Sequence, residues 1–296
     1  MPPAFFKMYR SLKQRTVQNE IVLSGRGLQT GKDVKVVCIP GKENAGIIFI
    51  RKDAKRSAPI RIREMGVYGD GPVRRSTIGP KGAQIQTVEH FLAALWGLDI
   101  DNLTVEVTGP EMPALDGSAA GFVDVIKRAG IQEQSSGREF IRITEPLEVA
   151  EGNSSLIVTP GEGLNISYFI DYDCASIGKE EFNIELDSES FQKEIAPART
   201  FCLKKEVWFL LMLGLGGGAT VDNTLVMDKK GPVGNTLRFA NEPVRHKVLD
   251  LVGDLYLAGF PIKGKVTAKR SGHKLNRKMA GMIRERYVSA GKIKTS

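Results

Sequence analysis

The chain has 296 residues, 42% of them hydrophobic, and its 42 lysines and arginines against 34 acidic residues leave a net charge of +8. That is enough apolar material for one large or two medium globular cores. Cys38, Cys174 and Cys202 lie far apart with no Cys-x-x-Cys pair, which excludes a disulfide framework or a thiolate zinc site and fits a reducing cytoplasm.

From the amino end, "MPPAFFKMYRSLKQR" lacks the sustained apolar segment of a signal peptide. Short strands are expected next at "EIVLSG", "VKVVCI", "IIFIR" and "IRIRE", apolar runs or alternations between turn residues. A helix follows at "TVEHFLAALWG", with Thr87 as its cap, then a strand "NLTVEV" and a second helix from about Ser118. The second half repeats this order. Strands are predicted at "FIRITEPLEV", "SLIVT", "LNISYFIDY" and "EFNIEL", then a helix over 243–258, a strand "KGKVTAK" and a last helix from about 273.

Between these elements, "VWFLLMLGLGGGATV" is the longest apolar run, shorter than the roughly 20 residues a bilayer span needs and broken by glycines. Its "GLGGGA" lacks both the strand-loop-helix setting and the Lys-Ser/Thr ending of a phosphate loop. It reads as a chain reversal.

The helix in "PVRHKVLDLVGDLYLAG" carries the most chemistry. Asn241 can cap it, Pro243 suits its first turn and Gly259 its end. Val244, Val248, Leu251 and Leu255 form a buried stripe. His246, Asp250 and Asp254, at steps of four, stack on a neighbouring one. A solvated stripe would explain them, but an imidazole and a carboxylate one turn apart can also share a divalent ion. Zinc in hydrolytic sites takes three such protein ligands and keeps one open position. A third ligand is suggested by repetition: at one fixed spacing Val88 matches Val244, His90 matches His246, Leu95 matches Leu251 and Gly97 matches Gly253. If two similar layers pack helix on helix, His90 and His246 meet at the interface. His273, the third and last histidine, sits at a strand-to-helix turn where a side chain can project over a cleft.

The blocks "TVEHFLAALWGLDIDNLTVEV", "EMPALDGSAAGFV", "ARTF", "NEPVRHKVLDLVGDLYLAG" and "SGHKLN" together resemble the zinc-dependent UDP-3-O-acyl-N-acetylglucosamine deacetylases of lipid A biosynthesis, in that family's order and spacing, from about 17 to 285. The resemblance implies an α+β fold of two domains of similar topology. Each is a β-sheet packed against a pair of helices, with the helix layers facing each other. The expected division is 1–136, carrying Glu89 and His90, and 137–296, carrying His246, Asp250 and His273 with an apolar insert near 201–219. Carried over by position, it implies Zn2+ on His90, His246 and Asp250, Glu89 as general base and His273 as acid or electrostatic partner. It likewise implies Thr200 at the developing oxyanion, Asp254 as a carboxylate supporting His273, and Lys247 as a substrate-contacting cation. The implied substrate is a UDP-linked acylated glucosamine, whose pyrophosphate could meet Lys247 and the basic C-terminal region. Phe201, Val207 and Leu210 are expected to line an acyl passage whose outer face touches a membrane surface or another subunit. The sequence departs from the family at Gln29, where a histidine is usual, within "VRRSTIG" (73–79), and in "GGAT".

Two other readings compete. A basic nucleotide- or nucleic-acid-binding protein would hold no metal and lose affinity steeply with salt. A zinc peptidase is disfavoured by the absence of His-Glu-x-x-His.

Overall fold

A computed structural model of the chain describes residues 12–66 and 74–295. The signal-peptide reading of residues 1–11 and the departure at Val73 lie outside the described residues.

In the first half, β1 (Ile21–Arg26), β2 (Asp33–Pro40), β3 (Ile47–Arg51) and the two-residue β4 (Ile60–Arg61) precede helix α1 (Glu89–Gly97). β5 (Leu103–Thr108) and helix α2 (Ala120–Ala129) complete the set. The sheet runs β1-β2-β5-β3-β4, parallel only where β5 meets β3. The alternation that predicted β2 is realised, with Val34, Val36 and Cys38 turned into the core and Lys35 out.

In the second half, β6 (Leu147–Glu151), β7 (Ser154–Thr159), β8 (Leu164–Asp171) and β9 (Lys179–Leu186) come first. The short helix α3 (Lys204–Met212) follows, then α4 (Glu242–Tyr256), β10 (Ile262–Lys269) and α5 (His273–Ile283). These strands run β6-β7-β10-β8-β9, again parallel only at the β10–β8 pair. Five strands of the second, seven-stranded sheet therefore repeat the order and strand senses of the first in a mixed α+β fold, and Glu139–Arg142 adds a further parallel pairing to β10.

All nine residues of α1 are buried, Glu89 and His90 included, and α1 packs directly on α4. A helix that is apolar nearly all round belongs in such an interior. Gly253 makes the close crossing feasible, because a Cβ there would overlap the main-chain carbonyl of Glu89. The matched pair of glycines thus reflects packing, since a Cβ at Gly97 would likewise run into the ring of Phe191.

Several local expectations are corrected. Thr87 does not cap α1: it lies at φ 54°, Val88 holds the cap position, and the Thr87 hydroxyl donates to Glu111 at 2.7 Å. Asn241 occupies the N-cap of α4, but its side-chain oxygen accepts from Arg245 Nε at 2.7 Å instead of from a helix amide. "FIRITEPLEV" is two strands, Glu139–Arg142 and β6, interrupted around Pro146. The run 207–213 forms most of α3, and α3 has no buried residue. Much of the basic C-terminal charge is also used within the fold: Arg277 donates to the Arg75 carbonyl and Arg284 to those of Ile62, Arg63 and Ala258.

Candidate metal centre and active-site cleft

The α1–α4 crossing brings the two matched histidines together. Their rings sit edge to face with centroids 4.9 Å apart. Nε2 of His90 and Nε2 of His246 lie 3.5 and 3.3 Å from Asp250 Oδ1. His246 Nδ1 is 3.0 Å from the Ala198 carbonyl, which can only accept, so the proton sits on Nδ1 and the Nε2 lone pair faces Asp250. Burial pushes His246 down to about 4, against the pull of Asp250, and its imidazole is neutral at pH 7. For Asp250, burial opposes ionisation, but His246, Lys247 and His273 hold it well below the usual carboxylate range.

This trio fits a divalent ion on its own chemistry. Asp250 Oδ1 is buried and has no hydrogen-bond partner, an arrangement that is costly unless something else coordinates it. The three residues each offer a ligand atom, all within 4.8 Å of one another. Two imidazoles and a carboxylate form a donor set that zinc accepts.

Beside the trio stand Glu89 and His273. Glu89 is buried and its pKa is raised, chiefly by desolvation and against the pull of His273 and His90. Its Oε2 accepts from the Ser76 amide at 3.0 Å, and its Oε1 lies 3.8 Å from His273 Nε2. The other His273 nitrogen, Nδ1, is 2.8 Å from Asp254 Oδ2. Burial alone would depress His273, but Asp254 and Asp250 hold it up at about 9. Asp254 is thus aimed at the imidazole it was expected to support, and Asn276 Nδ2 and Ser76 Oγ donate to the same carboxyl. Ser76 and Asn276 were not read from the sequence. Asn276, three residues after His273 on one helix face, offered a signal; Ser76, in an irregular segment, offered none.

Asp254→Asn is expected to lower the pKa of His273 by about one unit or more. If turnover depends on protonated His273, the basic limb of the pH–rate profile should move to lower pH. An unchanged profile in a folded variant would contradict the assignment.

His90, His246, Asp250, Glu89 and His273 line a cavity of about 920 Å³. Thr200, Phe201, Val207 and Leu210 also line it, as do Arg74, Arg270, Lys274 and Arg277. Phe201 stands edge-on to His246, with ring centroids 6.3 Å apart. Lys247 borders the cavity but is largely buried and paired with Asp250 Oδ2 at 2.5 Å, so its charge is directed at the trio. The glycine segment closes one side by docking on the Gln29 turn. Gly217 and Gly218 amides donate to the carbonyls of Gln29 and Leu28, and the Gly216 amide donates to Gln29 Oε1 at 3.1 Å. The turn is itself fixed by buried Glu111, which accepts from the amides of Gln29 and Thr30.

The family model described as UDP-3-O-acyl N-acetylglycosamine deacetylase matches residues 14–285. A curated UDP-3-O-acyl-N-acetylglucosamine deacetylase from Thermodesulfovibrio yellowstonii is 40% identical over 260 residues, covering 88% of each chain. One from Brucella melitensis is 40% identical over 267 residues, covering 89% of this chain and 92% of its own.

Proposed function

Because this chain belongs to the UDP-3-O-acyl N-acetylglycosamine deacetylase family, we propose that it hydrolyses the acetamide of UDP-3-O-acyl-N-acetylglucosamine to acetate and the free amine, the deacetylation step of lipid A biosynthesis. The observation that carries the chemistry is the unpartnered Asp250 Oδ1 facing two imidazole nitrogens, with Glu89 and His273 alongside. The basic residues bordering the cavity suit an anionic sugar nucleotide. The alternative of a nucleic-acid or non-catalytic nucleotide binder has no support, and no nucleic-acid partner is implied.

Under this reading His90, His246 and Asp250 hold Zn2+, which when bound supplies Lewis-acid polarisation of the amide carbonyl and brings water within reach of ionisation near neutral pH. Glu89, with its raised pKa, takes the proton from the attacking water. The charge that develops on the carbonyl oxygen is met by protonated His273 and the Thr200 hydroxyl, donors typically worth about 3 to 4 kcal/mol each in such a position. When the C–N bond breaks, the amine needs a proton. Glu89, having gained one, and His273 are the two groups placed to return it.

Phe201, Val207 and Leu210 form the wall along which the acyl chain would run, with Arg74, Arg270, Lys274 and Arg277 as the basic rim toward the sugar nucleotide. The same reading divides the chain at 136/137 into two duplicated domains, supported by the shared strand order of the two sheets. A cytoplasmic setting agrees with three free cysteines. Among the described residues, no helix is long and apolar enough to cross a membrane.

The test is release of free amine from UDP-3-O-acyl-N-acetylglucosamine, abolished by a chelator and restored by zinc. No release by zinc-loaded protein would overturn the proposal. In the same assay Leu210→Trp should depress turnover of a long-chain substrate far more than of a short-chain one. Equal turnover of both would remove Leu210 from the acyl wall.

A further inference from the structure

Helix α3 breaks the usual relation between apolar character and burial. From Val207 to Leu213 it is apolar on every side, a composition that belongs in a core or a membrane, yet none of its residues is buried. One side, through Val207 and Leu210, faces the cavity. The other turns outward: Trp208 is 72% exposed, Met212 67%, Phe209 58% and Leu213 57%. A contiguous exposed patch of this kind marks an interaction site.

The charges nearby indicate what it meets. Lys204 and Lys205 open the helix, and Lys229 and Lys230 are exposed on the turn after Leu225–Asp228, the strand that pairs with the residues leading into α3. Against these four lysines stand Asp173 and Asp228, which pair with Lys205 and Lys204. The only acid on α3, Glu206, is matched by Arg74. An outward tryptophan and phenylalanine beside an excess of lysine have the chemistry of the interface of an anionic bilayer.

We propose that α3 is a membrane-docking helix. It lays Trp208, Phe209, Met212 and Leu213 into the headgroup–acyl boundary of a bilayer containing anionic phospholipid, while the lysines at its amino end meet the headgroups. The cavity wall formed by α3 is then continuous with the lipid surface, which would let an acyl chain pass between the two with little exposure to water. That consequence rests on the acyl-bearing substrate proposed above. Docking itself does not, and it is tested without substrate.

The chain provides its own probe. It has two tryptophans, and Trp96 is 2% exposed, so a solvent-sensitive change in emission reports Trp208. Vesicles of phosphatidylethanolamine and phosphatidylglycerol should shift the emission to the blue and shield it from an aqueous quencher, less so at high salt. Phe209→Glu combined with Met212→Glu should weaken vesicle partition by about tenfold or more and leave deacetylation of a short-acyl substrate in free solution unchanged. No emission change with vesicles would overturn the proposal, as would equal partition onto zwitterionic vesicles or undiminished partition of the double variant. A blue shift that instead grows with protein concentration without lipid would identify a second copy of the chain as the occupant and also overturn it.

Discussion

Glu89→Gln is expected to lower kcat by about 10²- to 10⁴-fold, the contribution usual for a positioned general base, with metal content staying at the parent level. The substitution is nearly isosteric, and the glutamine carbonyl oxygen can still accept from the Ser76 amide, now 3.0 Å from Glu89 Oε2. Lost is a carboxylate whose pKa burial has raised, and an amide cannot take the proton from water. The trio His90, His246 and Asp250 is untouched, which separates this variant from a ligand mutant. Parallel measurement of kcat and bound zinc on one preparation checks it. A kcat within tenfold of the parent, with zinc retained, would assign proton removal to another group.

Gly253→Ala should be nearly as damaging although residue 253 touches no reacting group. Its Cβ would overlap the Glu89 carbonyl, and both partners are main-chain segments of packed helices, so α1 and α4 must move apart. Overpacking of this kind costs about 1 to 3 kcal/mol, and a chain of this size should lose several degrees in Tm. The effect on activity is expected to be larger than that on stability. Glu89 and His90 ride on α1, while His246 and Asp250 ride on α4, and a misplacement of about 1 Å between reacting groups can cost about 10²-fold in rate. Weakened zinc affinity together with a lowered Tm in the folded variant is the expected outcome. Full activity would show that the crossing tolerates separation.

Periodicity carried much of this arrangement. The four-residue steps of His246, Asp250 and Asp254 survive folding with the aspartates turned to different partners, the first to the histidine pair and the second to His273. The repeat of His90 and His246 pointed to their meeting because duplicated helices that pack on each other place equivalent positions face to face. Other features have no sequence period. Ser76 and Ala198, which orient Asp254 and His246, lie in irregular segments whose path only tertiary packing sets. Thr87 has the composition of a cap, but buried Glu111 draws its hydroxyl away and the backbone takes a left-handed turn. The exposure of α3 was equally hidden, since an apolar run reads the same whether it faces a core or a surface.

The most direct test of the proposed centre is the metal content of the purified protein beside His90→Ala, His246→Ala and Asp250→Ala. One shared site predicts about one zinc per chain, lost or strongly weakened in each variant, with circular dichroism showing that the variants remain folded. A native chain that takes up no zinc when it is offered, or variants that bind it as the parent does, would contradict a centre built from these three side chains.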